Sequence, residues 1–347
     1  MSEEPTISQE EALQRLSFLT AGYMPQAQWT VGGAFRFDRS LQVLGNFLAT
    51  QLGVRQFTNV AGAPPCKWTL DYFAQRRPLA LDAYCNALET YAKMGIGVIL
   101  VFDNPYIADA DIEDSYGLML VQELYNRDRL RRNAVCVAND KLAAVIRNAF
   151  PHVPVHCHYN RLVAEITRRT PALYNKLAEQ YTRVCLHAAD AAKPSFTNVL
   201  EQKEKFDIVV NDPALRTSAV RRDMLKLLAD MRRDTFDTSL MARRATLIDR
   251  DGEQKVANAL HPKASCNLTR NETRALYDAG YRSFVIQSQQ FRNEMTLLWD
   301  ILHCMQDDNP ELFNKTALVA SSAMAEFGKP AIAMPSGLRQ FSFSNYE

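Results

Sequence analysis

Several things this chain lacks narrow its class before any motif is considered. Its seven cysteines are odd in number and form no CxxC pair, so a zinc ribbon or a cysteine-caged iron–sulfur cluster has no ligand spacing to rest on. Free buried thiols in a reducing compartment are the simpler reading. No uninterrupted apolar run approaches the roughly 18–20 residues of a membrane helix, and no membrane partner is expected. The acidic, polar start MSEEPTISQEEALQRL has no basic segment followed by an apolar one, so no signal peptide is read and the expected location is cytoplasmic. Charge of either sign is not in excess: the formal net charge is +1, which argues against a polyanion-coating surface. A neutral total can hide local basic patches, so nucleic acid stays open as a partner without any motif to support it. There is no P-loop, no GxGxxG after a strand, no GxSxG and no HExxH. No Pro/Gly/Ser-rich linker divides the chain.

What is present is a rhythm. Between Ala134 and Thr217, four apolar runs (AVCVA, VPVHC, RVCL and DIVV) each end in a polar cluster, and helix-like or polar sequence follows each run. This is repeated strand–loop–helix, the pattern of parallel α/β folds. Further strands are expected at Trp29–Phe37, Arg55–Val60, Gly97–Phe102 and Arg282–Gln287, with a short one at Thr235–Leu240. Helices are expected over Ser40–Leu52, Leu79–Met94, Ala108–Leu130, Asp140–Phe150, Ser218–Arg233, a stretch begun by Thr269, and Phe291–Gln306. Eight or nine strands in 347 residues suit an α/β TIM-type (β/α)8 barrel, with a two-domain doubly wound sheet as the competing arrangement. The expected division is an N-terminal helical extension over 1–28 with a helix at Ser8–Leu19, the barrel over 29–306, and a C-terminal helix at Glu311–Phe327 with a tail over 307–347. That tail is the candidate swapped element if the chain forms a homo-oligomer. The Ala61–Trp68 loop, with two prolines, is long and aromatic enough to fold over a barrel mouth.

In such folds ligands bind at the C-terminal ends of the strands. The side chains there are Asn59, the pairs Asp103-Asn104, Asn139-Asp140 and Asn211-Asp212, then His156, His158, His187, Arg216, Gln287 and Gln289. His156 and His158, two apart on one strand, share a face; Val153, Val155 and Cys157 take the other. With His187 from the next strand they could form a metal site completed by Asp103, Asp140 or Asp212. They could equally act as metal-free acid–base groups, or be hydrogen-bonded core residues. The Asn/Asp pairs read either as a polar ring for a small polar or peptide-like substrate or as helix caps. Arg216, directly after a strand end, is the best phosphate-binding candidate among the arginines.

The segments AVCVANDKLAAVIRNAFPHVPVHCHYN, YTRVCLHAAD, FDIVVNDPALRT and LYDAGYRSFVIQSQQ resemble the core of the collagenase-like peptidase family of unassigned mechanism, over roughly residues 95–300. The resemblance implies a TIM-type barrel. It also implies either peptidase chemistry or the iron–sulfur-dependent hydroxylation of transfer RNA or ubiquinone ascribed to some members. The chain departs from the family where the chemistry is carried. His187-Ala188-Ala189 stand in place of an Arg-Glu pair, Asn211 to Arg216 bring no cysteine, and Val285 and Ser288-Gln289 replace a Lys and a Gly-Arg. An iron–sulfur cluster is therefore not expected, and a divalent metal is the cofactor to test. An enzyme for a small polar or amino-acid-like substrate is the first functional expectation. A catalytically inactive barrel that binds protein or RNA is the second.

Overall fold

A computed structural model describes residues 23–305, apart from 51–54, 71–79, 165–168, 213–217, 219, 234–236, 259–266, 289–299 and 302. Eight parallel strands form a closed barrel in sequence order. They are β1 (Gln28–Gly32), β2 (Phe57–Gly62), β3 (Gly97–Phe102), β4 (Ala134–Val137), β5 (Val155–Cys157), β6 (Arg183–Leu186), β7 (Phe206–Val209) and β8 (Ser283–Ile286). Helices follow most of the strands, as the sequence rhythm implies, so the fold is a (β/α)8 barrel with additional helices.

Side-chain alternation sorts the strands into two packings. On β3, Val98, Leu100 and Phe102 join the large apolar shell between barrel and helices. Ile99 belongs instead to an inner cluster with Ala134, Cys136, Cys185 and Val209. The outer shell holds the bulk. It contains Trp29, Trp68, Tyr84, Tyr91, Tyr174, Phe206, Tyr281 and Phe284, all essentially inaccessible. The β1–β8 seam closes the barrel in register Trp29↔Phe284, and the two rings meet at 5.1 Å between centroids.

Several elements differ from the sequence reading. β1 stops at Gly32, because Gly33 turns the chain at φ +96° and a Cβ there would strike the Phe37 ring at 2.8 Å. The long helix expected at Ala108–Leu130 is a single 3₁₀ turn at Asp109–Asp111 and then a helix at Ser115–Asn126. Asp114 restarts it by accepting the Gly117 N–H, and Gly117 lies against the Trp68 ring with no room for a Cβ. The short strand expected at Thr235–Leu240 is not formed: from Thr238 the chain is helical to Asn258. Thr269 does cap its helix, in a reciprocal pair with Glu272. The terminal helices, the tail and most of Phe291–Gln306 lie outside the described residues. Among the described residues, no helix is long and apolar enough to cross a membrane.

The Ala61–Trp68 loop does fold over the mouth. Trp68 is buried edge-on against Phe102 and donates its indole N–H to the Asp111 carbonyl at 2.9 Å. Arg232 donates to the carbonyls of Thr69 and Cys66 and fixes the loop from the far side. The seam generates a direct expectation. Phe284→Ala should cost about 3–5 kcal/mol of unfolding free energy in urea titrations, as for other fully buried aromatics. A loss below about 1 kcal/mol would contradict a barrel closed by Trp29–Phe284 packing.

Candidate active site in the barrel core

The same alternation that sends Val155 and Cys157 outward turns His156 onto the barrel axis. On β7 it turns Asp207 inward with Val209, and on β8 it turns Ser283 inward with Val285. Parallel register makes Asp207 the neighbour of Ser283 on one side and of Cys185 on the other. His156 is the neighbour of Arg183. The result is a polar network inside the barrel. Ser283 Oγ donates to Asp207 Oδ1 at 2.6 Å, and Arg183 donates to the same oxygen at 3.3 Å. Arg183 also holds Gln28 Oε1 at 2.9 Å. The other carboxylate oxygen, Oδ2, faces His156 Nδ1 at 3.6 Å. That distance is within ion-pairing range but beyond a hydrogen bond, and the buried Nδ1 has no hydrogen-bond partner among the described residues.

Above this network a cavity of about 160 Å³ runs up the axis to the C-terminal mouth. Its walls are mostly apolar, with Ile99, Val101, Val209 and Val285 from the strands and Phe35 and Pro65 from the rim. An apolar cavity of about 150 Å³ holds a molecule the size of benzene. His156 and Cys136 lie at its floor, and Asp103, His158, Tyr159 and Gln287 line it nearer the mouth. Gln287 donates Nε2 to the Tyr159 hydroxyl at 3.0 Å, but its buried Oε1 has no partner among the described residues. Buried polar atoms are nearly always satisfied. Gln287 Oε1, without a partner among the described residues and in the same cavity as His156, marks it as a place for a ligand.

All three expected histidines are neutral. Burial pushes His156 down to about 4, with Asp207 opposing that shift and Arg183 adding to it. Burial also lowers His158 to about 3, helped by the Arg221 charge, and His187 to about 2, helped by Arg221, Arg169 and Lys193. His158 and His187 share a structural task. Each accepts a backbone N–H at Nδ1 with a length of 3.2 Å, from Asn160 and from Ala189, and so begins the helix that follows its strand. Among the described residues, no three His, Cys, Asp or Glu side chains converge to hold a metal ion. The expected His156–His158–His187 metal site is therefore not formed by the described residues: two of the rings are turned into caps.

The Asn/Asp pairs divide in the same way. Asn139 caps Asp140–Ala149 by accepting the Leu142 N–H, and Asp140 is an exposed partner of Arg161 and of the Tyr181 hydroxyl. Neither reaches the cavity. Asn104 accepts the Tyr106 N–H and ties the mouth loop through the Lys67 carbonyl. Asn211 bonds the Gln287 backbone at both ends and reaches Asp300. Asp212, one of the carboxylates expected at the site, is ion-paired to Arg221 at 2.7 Å, and that guanidinium lies over the Tyr159 ring. Asn59 is at the opposite, N-terminal face, where it donates to the Arg132 carbonyl. Of the expected substrate contacts only Asp103 and Gln287 line the cavity, and Asp103 also accepts the Leu70 N–H at 2.9 Å. Arg216 and Gln289 lie outside the described residues.

Asp207, Ser283, Arg183 and Tyr159 escaped the sequence reading. Asp207 carried one visible signal, an acid at an inward position of an otherwise apolar strand. The protein-family models include no match to this chain, and no curated protein matches it.

The buried histidines set a pH dependence. In the unfolded chain they take up protons near 6.5; in the fold they do not, so the unfolded state binds more protons below that value. Stability contributed this way is complete above about 6.5 and falls as pH drops toward the folded values near 4, 3 and 2. Each histidine should cost about 2 kcal/mol at about pH 5 relative to neutral pH. Urea unfolding across that range should show the decline. A flat profile would contradict neutral burial.

Proposed function

We propose that the barrel is an enzyme for a compact, largely apolar small molecule carrying an amide or hydroxyl group, such as an amino-acid or peptide-like substrate. The molecule enters at the C-terminal mouth, and His156 serves as general base. The observation that carries this reading is the buried Gln287 Oε1, which has no hydrogen-bond partner among the described residues and shares one apolar cavity with His156 at its floor. Gln287 Oε1 accepts a hydrogen bond from the substrate N–H or O–H. The Asp207 carboxylate favours the tautomer with the proton on His156 Nδ1, which leaves Nε2 as the proton acceptor. Hydrogen bonds of this kind often run long in ligand-free sites and tighten on binding. As Nδ1 closes on Asp207 from 3.6 Å, the imidazole gains basicity, and the imidazolium formed by proton uptake faces a carboxylate. Ser283 and Arg183 hold that carboxylate still. The proton comes from substrate or from a water placed between His156 and the substrate.

The peptide-like substrate class agrees with the resemblance to collagenase-like peptidases, whose own chemistry this reading does not require. The alternative of an inactive barrel that binds protein or RNA would suit a filled mouth; the cavity speaks for a small-molecule site instead.

Two measurements test this. A ligand-observed NMR screen of small amides, alcohols and dipeptides should find binders to wild type that Val285→Phe, which fills the cavity, excludes without unfolding the protein. For a hit that is turned over, His156→Ala should lower kcat by about 10²–10⁴, as expected for removal of a general base. Binders unaffected by the filling variant, or turnover unchanged in His156→Ala, would sink the proposal.

A further inference from the structure

The barrel is hollow at its other end as well. TIM barrels are ordinarily plugged by layers of bulky branched side chains. Here three of the positions that line the N-terminal layer, Thr30, Ala134 and Ser283, carry small or hydroxylated side chains. A cavity of about 340 Å³ results, about twice the volume of the one at the mouth, opening on the N-terminal face. Thr30, Ile99, His156 and Asp207 line both cavities, so a single layer of side chains separates them.

Among the described residues its charge is one-sided. Three guanidinium groups, Arg131, Arg132 and Arg183, line the lower cavity against one carboxylate, Asp207. Asp207 is already engaged by Ser283 and Arg183. Asp128, beside the rim, accepts the backbone N–H groups of Arg132 and Asn133. Arg132 reaches only the Gly95 carbonyl with its side chain, and Arg131 makes no hydrogen bond or ion pair with any described residue. Arg131 is also held in the left-handed region at φ +52°, a conformation that disfavours side chains other than glycine, asparagine and aspartate. Forked guanidinium groups around a concave, polar space suit the oxygens of a phosphate group. The space exceeds what a bare phosphate would fill.

We infer that the N-terminal cavity is a second ligand site, distinct from the mouth, that takes a small phosphate monoester on Arg131, Arg132 and Arg183. Through Arg183 the site touches the dyad. An anion on that guanidinium offsets a positive charge that helps keep His156 unprotonated, and it competes with Asp207 for the same N–H groups. The ligand thus acts as an effector on the His156–Asp207 pair from the face opposite substrate entry. That coupling rests on the proposed role of His156; the binding itself does not.

Isothermal titration of the full-length protein with inorganic phosphate and with glycerol phosphate, at ionic strength matched with chloride, tests the site. Saturable binding of both is expected, tighter for the ester. Arg131→Ala and Arg132→Ala, which remove exposed side chains and leave the fold intact, should each weaken it about tenfold, the worth of one charge-assisted hydrogen bond. Ester bound no tighter than free phosphate would overturn the monoester assignment. Absence of saturable binding to wild type, or binding undiminished in the double variant, would overturn the site. The imidazole resonances of His156, followed in the same titration, report the coupling and should move with phosphate in wild type but not in the double variant. Binding without that movement would refute the effector role while leaving the mouth site untouched.

Discussion

An acid in the middle of a β-barrel is the constraint on which the rest of this structure depends. Asp207 is almost fully buried, and an unpaired carboxylate there would cost several kcal/mol. Its neighbours must answer that charge from fixed register positions, and they do: Ser283 from one adjacent strand, Arg183 from the other side. Satisfying Asp207 takes polar side chains at the positions beside it, while Ile99, Val101, Val209 and Val285 keep the layer above apolar. The axis is left open above and below, and His156 is placed against a carboxylate in a medium that keeps it neutral. Asp207 lines both cavities and links the base to each of them.

Such an interior is tolerable because stability is supplied elsewhere. The large aromatic side chains lie outside the barrel, between strands and helices, and the seam between first and last strand is an aromatic contact. Around the mouth, polar groups serve as ties. Asp103 accepts the Leu70 N–H, Asn104 reaches the Lys67 carbonyl, and Arg232 holds the Cys66 and Thr69 carbonyls. These bonds fix the loop that roofs the cavity. Substrate recognition can then rest on very few groups, because the walls are preformed and, among the described residues, Gln287 presents an unsatisfied acceptor beside His156.

The barrel was legible in the sequence because parallel strands buried on both faces leave short apolar runs, and polar clusters mark where each run ends. Gly97–Phe102 matches the strand residue for residue. The placement of His156 followed from period-two alternation alone. The Asn/Asp pairs were not separable, since helix caps and ligand contacts use the same side chains at the same strand ends. Asn139 shows the cap, and Asp103 shows both uses. The readings of His158 and His187 were not separable for a related reason: an imidazole that accepts a backbone N–H at a helix start reads in sequence like one free to bind a metal. Asp207 could be seen as an inward acid. Its partners could not, because Arg183 and Ser283 meet it only once the barrel closes, at separations of 24 and 76 residues.

The claim at the centre of this account is a neutral His156 whose Nδ1 proton faces Asp207. Nitrogen-15 NMR of the histidine side chains, assigned with His156→Gln and compared with Asp207→Asn, tests it most directly. The account predicts a neutral Nδ1–H imidazole at neutral pH in wild type, and loss of that tautomer preference in Asp207→Asn. A His156 that is cationic at neutral pH, or whose tautomer ignores Asp207, would contradict it.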